Sequence, residues 1–168
     1  SGCLFVPSDS DIIKCMKGFQ RAARSPIVWF FLFTIVYVAT RLTNLTALPI
    51  FTDEAIYIRW SQIGANDAAW RFISLTDGKQ PLFTWFVMAA LRVFHDPLFA
   101  GRVVSVFSGF VGMIGIYVLG REICKSNRIG LISSFLYLIS PFTLMYDRMA
   151  LYDSMVDAIS ISNLYLAK

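Results

Sequence analysis

The stretch 49-PIFTDEAIYIRW-60 places two adjacent carboxylates, Asp53 and Glu54, shortly after a long apolar run. A bare acidic pair close to a bilayer is costly unless it is solvated or used. One reading is a solvated helix start, where acids are favoured. The other is a general base: desolvation raises the pKa of an Asp near a low-dielectric surface and suits it to take a proton from an incoming hydroxyl or amine. Lys79, followed closely by Pro81, supplies either an interfacial anchor or a cation for a lipid phosphate at headgroup level. Arg102 opens one apolar run, and Arg148 and Asp153 open another. An Arg at a helix end is ordinarily a headgroup anchor. A carboxylate inside an emerging apolar helix needs a partner, and Arg148 is near enough in sequence to be the partner of Asp153.

The elements that must position these groups are greasy. Of 168 residues, 57% are hydrophobic and 15% charged, where a soluble domain carries about a quarter charged. The spacing predicts an all-α, polytopic transmembrane bundle. A basic segment, residues 1–25, precedes a span over 26–42 and lies in the cytoplasm by the positive-inside rule. Residues 26–168 then form one transmembrane domain. Its outer loop, 44–80, holds short interfacial helices over 54–63, capped by Thr52 or Asp53, and over 68–75. Further spans fall at 102–120 and 129–146, the latter kinked or ended near Pro141, with another starting from 153. Segment 81–95 is short and carries Arg92. If all segments cross, residues 147–153 face away from Asp53 and the basic loop 121–128 faces outward. If 81–95 is re-entrant, 147–153 shares a side with Asp53, and this second topology suits the charges better. Gly109, Gly112 and Gly115 offer a smooth surface for close helix packing.

Several functions are excluded. A net charge of +4, scattered along the chain, makes no nucleic-acid surface. Cys3, Cys15 and Cys124 have neither CxxC nor metal-type spacing, and His95 is the single histidine. Asn44-Leu45-Thr46 matches a glycosylation pattern but lies too close to the first span. The chain begins at Ser1 and stops at Lys168 just after an apolar run, which reads as a fragment.

The order of these motifs carries a resemblance. A basic start and one span lead to an outward Asp-Glu, then to Lys-x-Pro-Leu entering a helix. An Arg-Val-Val-Ser-Val-Phe-Ser-Gly span, a Gly-Arg-Glu loop, a span ending in Ser-Pro and Arg-x-x-x-x-Asp follow. Over residues 20–168 this resembles the N-terminal part of the GT-C membrane glycosyltransferases. The closest group is that of the dolichyl-phosphate-mannose–protein mannosyltransferases and the bacterial undecaprenyl-phosphate sugar transferases. The resemblance implies transfer of a sugar, with inversion, from a polyprenyl-phosphate donor to a lipid or protein acceptor outside the cytoplasm. It implies Asp53 as base beside Glu54, Lys79 at the lipid phosphate, and Arg102, Arg148 and Asp153 in the same cavity. Two departures stand out: Gly78 replaces an acid before the lysine, with Asp77 a shifted substitute, and Gln80 replaces a proline. No cofactor follows from the residues, and a divalent metal stays open. The expected location is a multi-pass protein of a bacterial plasma membrane rather than the endoplasmic reticulum, because the loops are short. A transporter with a charged path, or an assembly subunit without chemistry, is the competing reading.

Overall fold

A computed structural model describes residues 25–167. The basic segment assigned to the cytoplasm lies outside the described residues. The described chain is all-helical: α1 (Pro26–Leu42), α2 (Thr52–Asn66), two 3₁₀ turns (Ala68–Trp70, Ile73–Asp77), α3 (Leu82–Ala90), α4 (Pro97–Cys124), α5 (Asn127–Ile139), α6 (Pro141–Tyr146) and α7 (Asp153–Leu166). Helix α4 is the centre, and its 28 residues are long and apolar enough to cross a membrane. Helices α1 and α5 are apolar but shorter. Polarity is inverted relative to a soluble bundle. Ile27, Phe31 and Ile35 on α1, and Ile132, Leu136 and Ile139 on α5, face outward, whereas Arg41, Glu54, Arg102 and Asp147 are buried. An apolar exterior of this extent is a surface for lipid, not water. The fold is a membrane helix bundle.

Packing fixes the directions. Gly101 of α4 meets Ala150, Gly112 meets Ala158 and Gly115 meets Ile161, so α7 runs parallel to α4. Gly120 meets Ser133 and Gly112 meets Tyr137, so α5 runs antiparallel to α4. The glycine surface read from the sequence is therefore the α4–α7 and α4–α5 seam. Phe30 of α1 packs on Tyr117 and Tyr37 on Phe110, which sets α1 antiparallel to α4 as well. Residues 147–151 consequently share one end of the bundle with the start of α2. The loop 121–128 lies at the other end, beside Trp29 of α1. Helix α3 has nine residues, about 14 Å at ~1.5 Å each, too short for a ~30 Å hydrocarbon core.

Three boundaries differ from the sequence reading. The span expected to open at Arg102 begins at Pro97, because Asp96 accepts a hydrogen bond from the Leu98 N–H (2.9 Å) and Pro97 occupies the first turn. Arg102 therefore lies inside the helix, not at its start. The cap of α2 is Phe51 rather than Thr52 or Asp53: Glu54 reaches back and accepts from the Phe51 N–H at 3.0 Å. The helix expected over 68–75 is two 3₁₀ turns, closed by Gly78 at φ +68°.

Gly109 admits α4 to its closest approach. A Cβ there would collide with the Asp147 carboxylate and the Tyr37 hydroxyl. That carboxylate is held by Tyr37 and Ser154, so it cannot swing aside. Gly109→Ala is expected to destabilise the bundle by about 1–3 kcal/mol, read as a lower unfolding temperature in detergent, whereas Gly78→Asn at the open left-handed turn is expected to be nearly silent.

Candidate functional site

At the end of the bundle where α2, α4 and the 147–151 segment meet, one ion pair ties the strands of chain together. Arg102 Nε donates to Glu54 Oε1 at 2.9 Å and Nη2 to Oε2 at 2.8 Å, with both side chains fully buried. The remaining N–H groups reach the carbonyls of Leu45 (2.7 Å), Leu48 (3.0 Å) and Pro49 (3.3 Å). All five guanidinium donors are thus used within the protein. Glu54 also accepts from the Ala150 N–H at 2.6 Å. Burial pushes the Glu54 carboxyl up. The hydrogen bonds from Arg102, Phe51 and Ala150, with the Arg102 charge, outweigh burial and hold it below the ordinary 4.5. Glu54 and Arg102 are positioning residues in this arrangement: they fix where α2 starts and have no free polar atom facing outward.

The neighbouring carboxylate is different. Asp53 is exposed on the first turn of α2, outside this pair. One turn further along, Tyr57 is buried, its phenol pushed up to about 12 by desolvation. The Lys79 ammonium lies 5.0 Å from the Tyr57 ring centre and 5.7 Å from that of Trp60. Lys79 also pairs with Asp77 at 3.2 Å, which raises its pKa above 10.5 and keeps it cationic at neutral pH. Asp77, the shifted substitute for the missing acid, is therefore a partner of the lysine. Tyr152 completes the cluster, edge-to-face on Tyr57 at 5.6 Å. Asp53, Lys79 and the aromatic faces of Tyr57 and Trp60 thus share one exposed corner.

Arg148 has another task. It donates to the carbonyls of Thr40 (3.0 Å), Thr43 (2.9 Å) and Asn44 (3.1 Å), which close the C-terminal end of α1. It is not the partner expected for Asp153, because three bare helix-end carbonyls compete for the guanidinium. Asp153, half-buried, is the first residue of α7, where the helix dipole favours an acid.

Sequence reasoning missed a second buried polar centre. Asp147 accepts from Tyr37 (3.0 Å), Ser154 (2.9 Å) and Tyr137 (3.4 Å) and stands 3.8 Å from Arg41 Nε. The available signal was Arg41 at the end of the first apolar run, a charge that needs a partner inside lipid.

An apolar groove begins beside the corner. Leu82 and Phe86 of α3, Val104 and Phe107 of α4, and Met155 and Ile159 of α7 line a cavity of about 490 Å³. Among the described residues no three His, Cys, Asp or Glu side chains converge, so this stretch supplies no complete metal-ligand set by itself.

Removing either partner of the ion pair leaves a buried charge. Arg102→Met or Glu54→Gln is expected to cost about 3–5 kcal/mol, and the double variant less than the sum. The pH dependence has a definite sign. Glu54 titrates lower when folded than its unfolded reference of 4.5, so its stabilising contribution is complete above that value. The contribution is lost as pH falls from there through the folded pKa. Acid unfolding followed by circular dichroism is expected to show this loss in the wild type and not in Glu54→Gln.

Comparison with curated proteins and with solved structures finds no match. A family model does match: dolichyl-phosphate-mannose-protein mannosyltransferase, over residues 78–167. The matched stretch holds Lys79, Arg102, Arg148 and Asp153, and Arg102 ties it to Glu54 upstream. With more than half of its length matched, the chain belongs to the dolichyl-phosphate-mannose-protein mannosyltransferase family of membrane glycosyltransferases.

Proposed function

We propose that this chain holds the acceptor-activating and phosphate-binding part of a glycosyltransferase that takes its sugar from a polyprenyl phosphate. The observation that carries the reading is the exposed corner: a carboxylate, Asp53, and a cation, Lys79, both close enough to Tyr57 to act on its phenol. The apolar groove starts at Leu82, three positions past that cation. A donor with its phosphate at Lys79 would lay its tail along Phe86, Phe107 and Ile159. The sugar would then stand above, toward Asp53 and the aqueous side.

The chemistry follows from those places. Asp53 takes the proton from an acceptor hydroxyl as the oxygen attacks the anomeric carbon. The bond from that carbon to the phosphate oxygen breaks, and polyprenyl phosphate leaves with the electron pair. Lys79 offsets the charge that grows on the leaving oxygen. Attack from the face opposite the leaving group inverts the anomeric configuration. Glu54, Arg102 and Arg148 hold α2 and the end of α1 so that the base stays above the phosphate. Asp153, at the same end of the bundle, faces the acceptor side. The basic loop with Arg121, Lys125 and Arg128 lies at the opposite end, so the positive-inside rule puts the reacting corner outside the cytoplasm.

A transporter would need a polar path between the two ends. The buried charges instead cluster toward one end and are bonded to neighbouring side chains and carbonyls, which favours the enzyme.

The test uses the full-length protein in liposomes with polyprenyl-phosphate mannose and a hydroxyl acceptor. Asp53→Asn is expected to lower kcat by ~100-fold or more, the low end for a positioned acid–base group. Lys79→Gln is expected to raise the donor KM by about tenfold, as for one lost charge-assisted contact. Transfer undiminished in Asp53→Asn would remove the base from this scheme.

A further inference from the structure

A second cationic cavity lies at the opposite end of α3 from Lys79. Its volume is about 480 Å³, and both Arg71 and Arg92 line it, with Phe72, Trp85, Met88 and Gly64. Both arginines are exposed, and among the described residues neither forms an ion pair. Two guanidinium groups on one cleft repel each other unless an anion sits between them. The cleft is held open by fixed parts. Trp85 Nε1 donates to the Arg71 carbonyl at 2.8 Å, which bolts the 3₁₀ turns to α3. Phe72 packs edge-to-face on Trp85 at 5.2 Å and 84°. Gly64 lets Met88 close the floor, since any Cβ there would strike its methyl group.

The apolar half of the cavity selects the ligand. Trp85, Met88 and Ala89 lie on the face of α3 turned away from the buried Phe83, Thr84 and Val87, and Arg92 follows two residues past the helix end. That face forms one wall of the cleft, across from Gly64, Ala65 and Phe72. The cleft thus combines an aromatic and thioether surface with two planar guanidinium groups. A guanidinium pairs bidentately with phosphate oxygens. A soluble phosphate would leave the apolar half uncovered. We infer that Arg71 and Arg92 bind the phosphate group of an anionic membrane phospholipid, whose chain runs over Trp85 and Met88. This site is distinct from the reacting corner and stands independently of sugar transfer.

The test titrates the purified full-length protein in detergent with phosphatidylglycerol, and separately with phosphatidylcholine and inorganic phosphate, counting bound molecules by native mass spectrometry. The wild type is expected to bind phosphatidylglycerol at least about tenfold more tightly than phosphatidylcholine. Arg71→Gln/Arg92→Gln is expected to abolish that preference. Arg59→Gln, an exposed charge on α2 that lines none of the cavity, is expected to keep it. The double variant has no side-chain bonds to lose, so its fold is preserved and checked by its unfolding temperature. A double variant that still prefers phosphatidylglycerol overturns the assignment. Inorganic phosphate that displaces the lipid at equal concentration also overturns it, and makes the cleft a site for soluble phosphate.

Discussion

Arg102 is fully buried inside a helix, and its five N–H groups must all find acceptors within the protein. Two are the oxygens of Glu54, and three are carbonyls of the chain that leaves α1. This requirement organises the whole end of the bundle. The loop 45–49 cannot drift from α4, because its carbonyls are bonded there. Helix α2 cannot slide, because Glu54 is also the acceptor for its own cap at Phe51. The 149–151 segment is drawn in by the Ala150 N–H, and Ser105 holds it again through the Leu151 carbonyl at 3.1 Å. Asp53 is then presented to solvent by default, because its neighbour in sequence points the other way.

A second centre does similar work one layer in. Asp147 gathers hydroxyl groups from α1, α5 and α7 around a single carboxylate. Arg41 lies over the Tyr37 ring at 4.6 Å and donates to the Leu138 carbonyl at 2.9 Å. The two centres are not redundant. The first ties the outer loop to α4, and the second ties α1, α5 and α7 to one another. At the second centre, Gly109 of α4 lacks a side chain and so allows Tyr37 and Asp147 to approach the helix backbone. A lipid-facing bundle has no hydrophobic drive between its helices, so close packing and buried hydrogen bonds carry the association.

What could be read in advance follows the range of each interaction. The glycine seam is a local feature of composition and spacing and was legible. So was the shared end of residues 147–153 and the start of α2, from the shortness of 81–95 and the basic loop. The Glu54–Arg102 pair was not, since its members lie 48 positions apart and each alone looks like a helix-end charge. Asp147 was harder still. Its partners Tyr37 and Tyr137 sit in apolar runs where a tyrosine reads as an ordinary lipid-facing ring. The start of α4 was read too late, at Arg102, because the apolar run alone does not show the cap that Asp96 and Pro97 supply.

The long reach of the Glu54 bonds bears on how the protein is made. The acid is synthesised 48 residues before Arg102 and 96 before Ala150. At ~5–20 residues per second the ribosome needs several seconds to supply the last partner. Until Arg102 follows, Glu54 has no charge partner, and until Ala150 follows, its set of hydrogen bonds is incomplete. The outer loop therefore cannot dock fully until residues well downstream of it have been made. A chain stopped short of Arg102 leaves this acid without the guanidinium that fixes the start of α2.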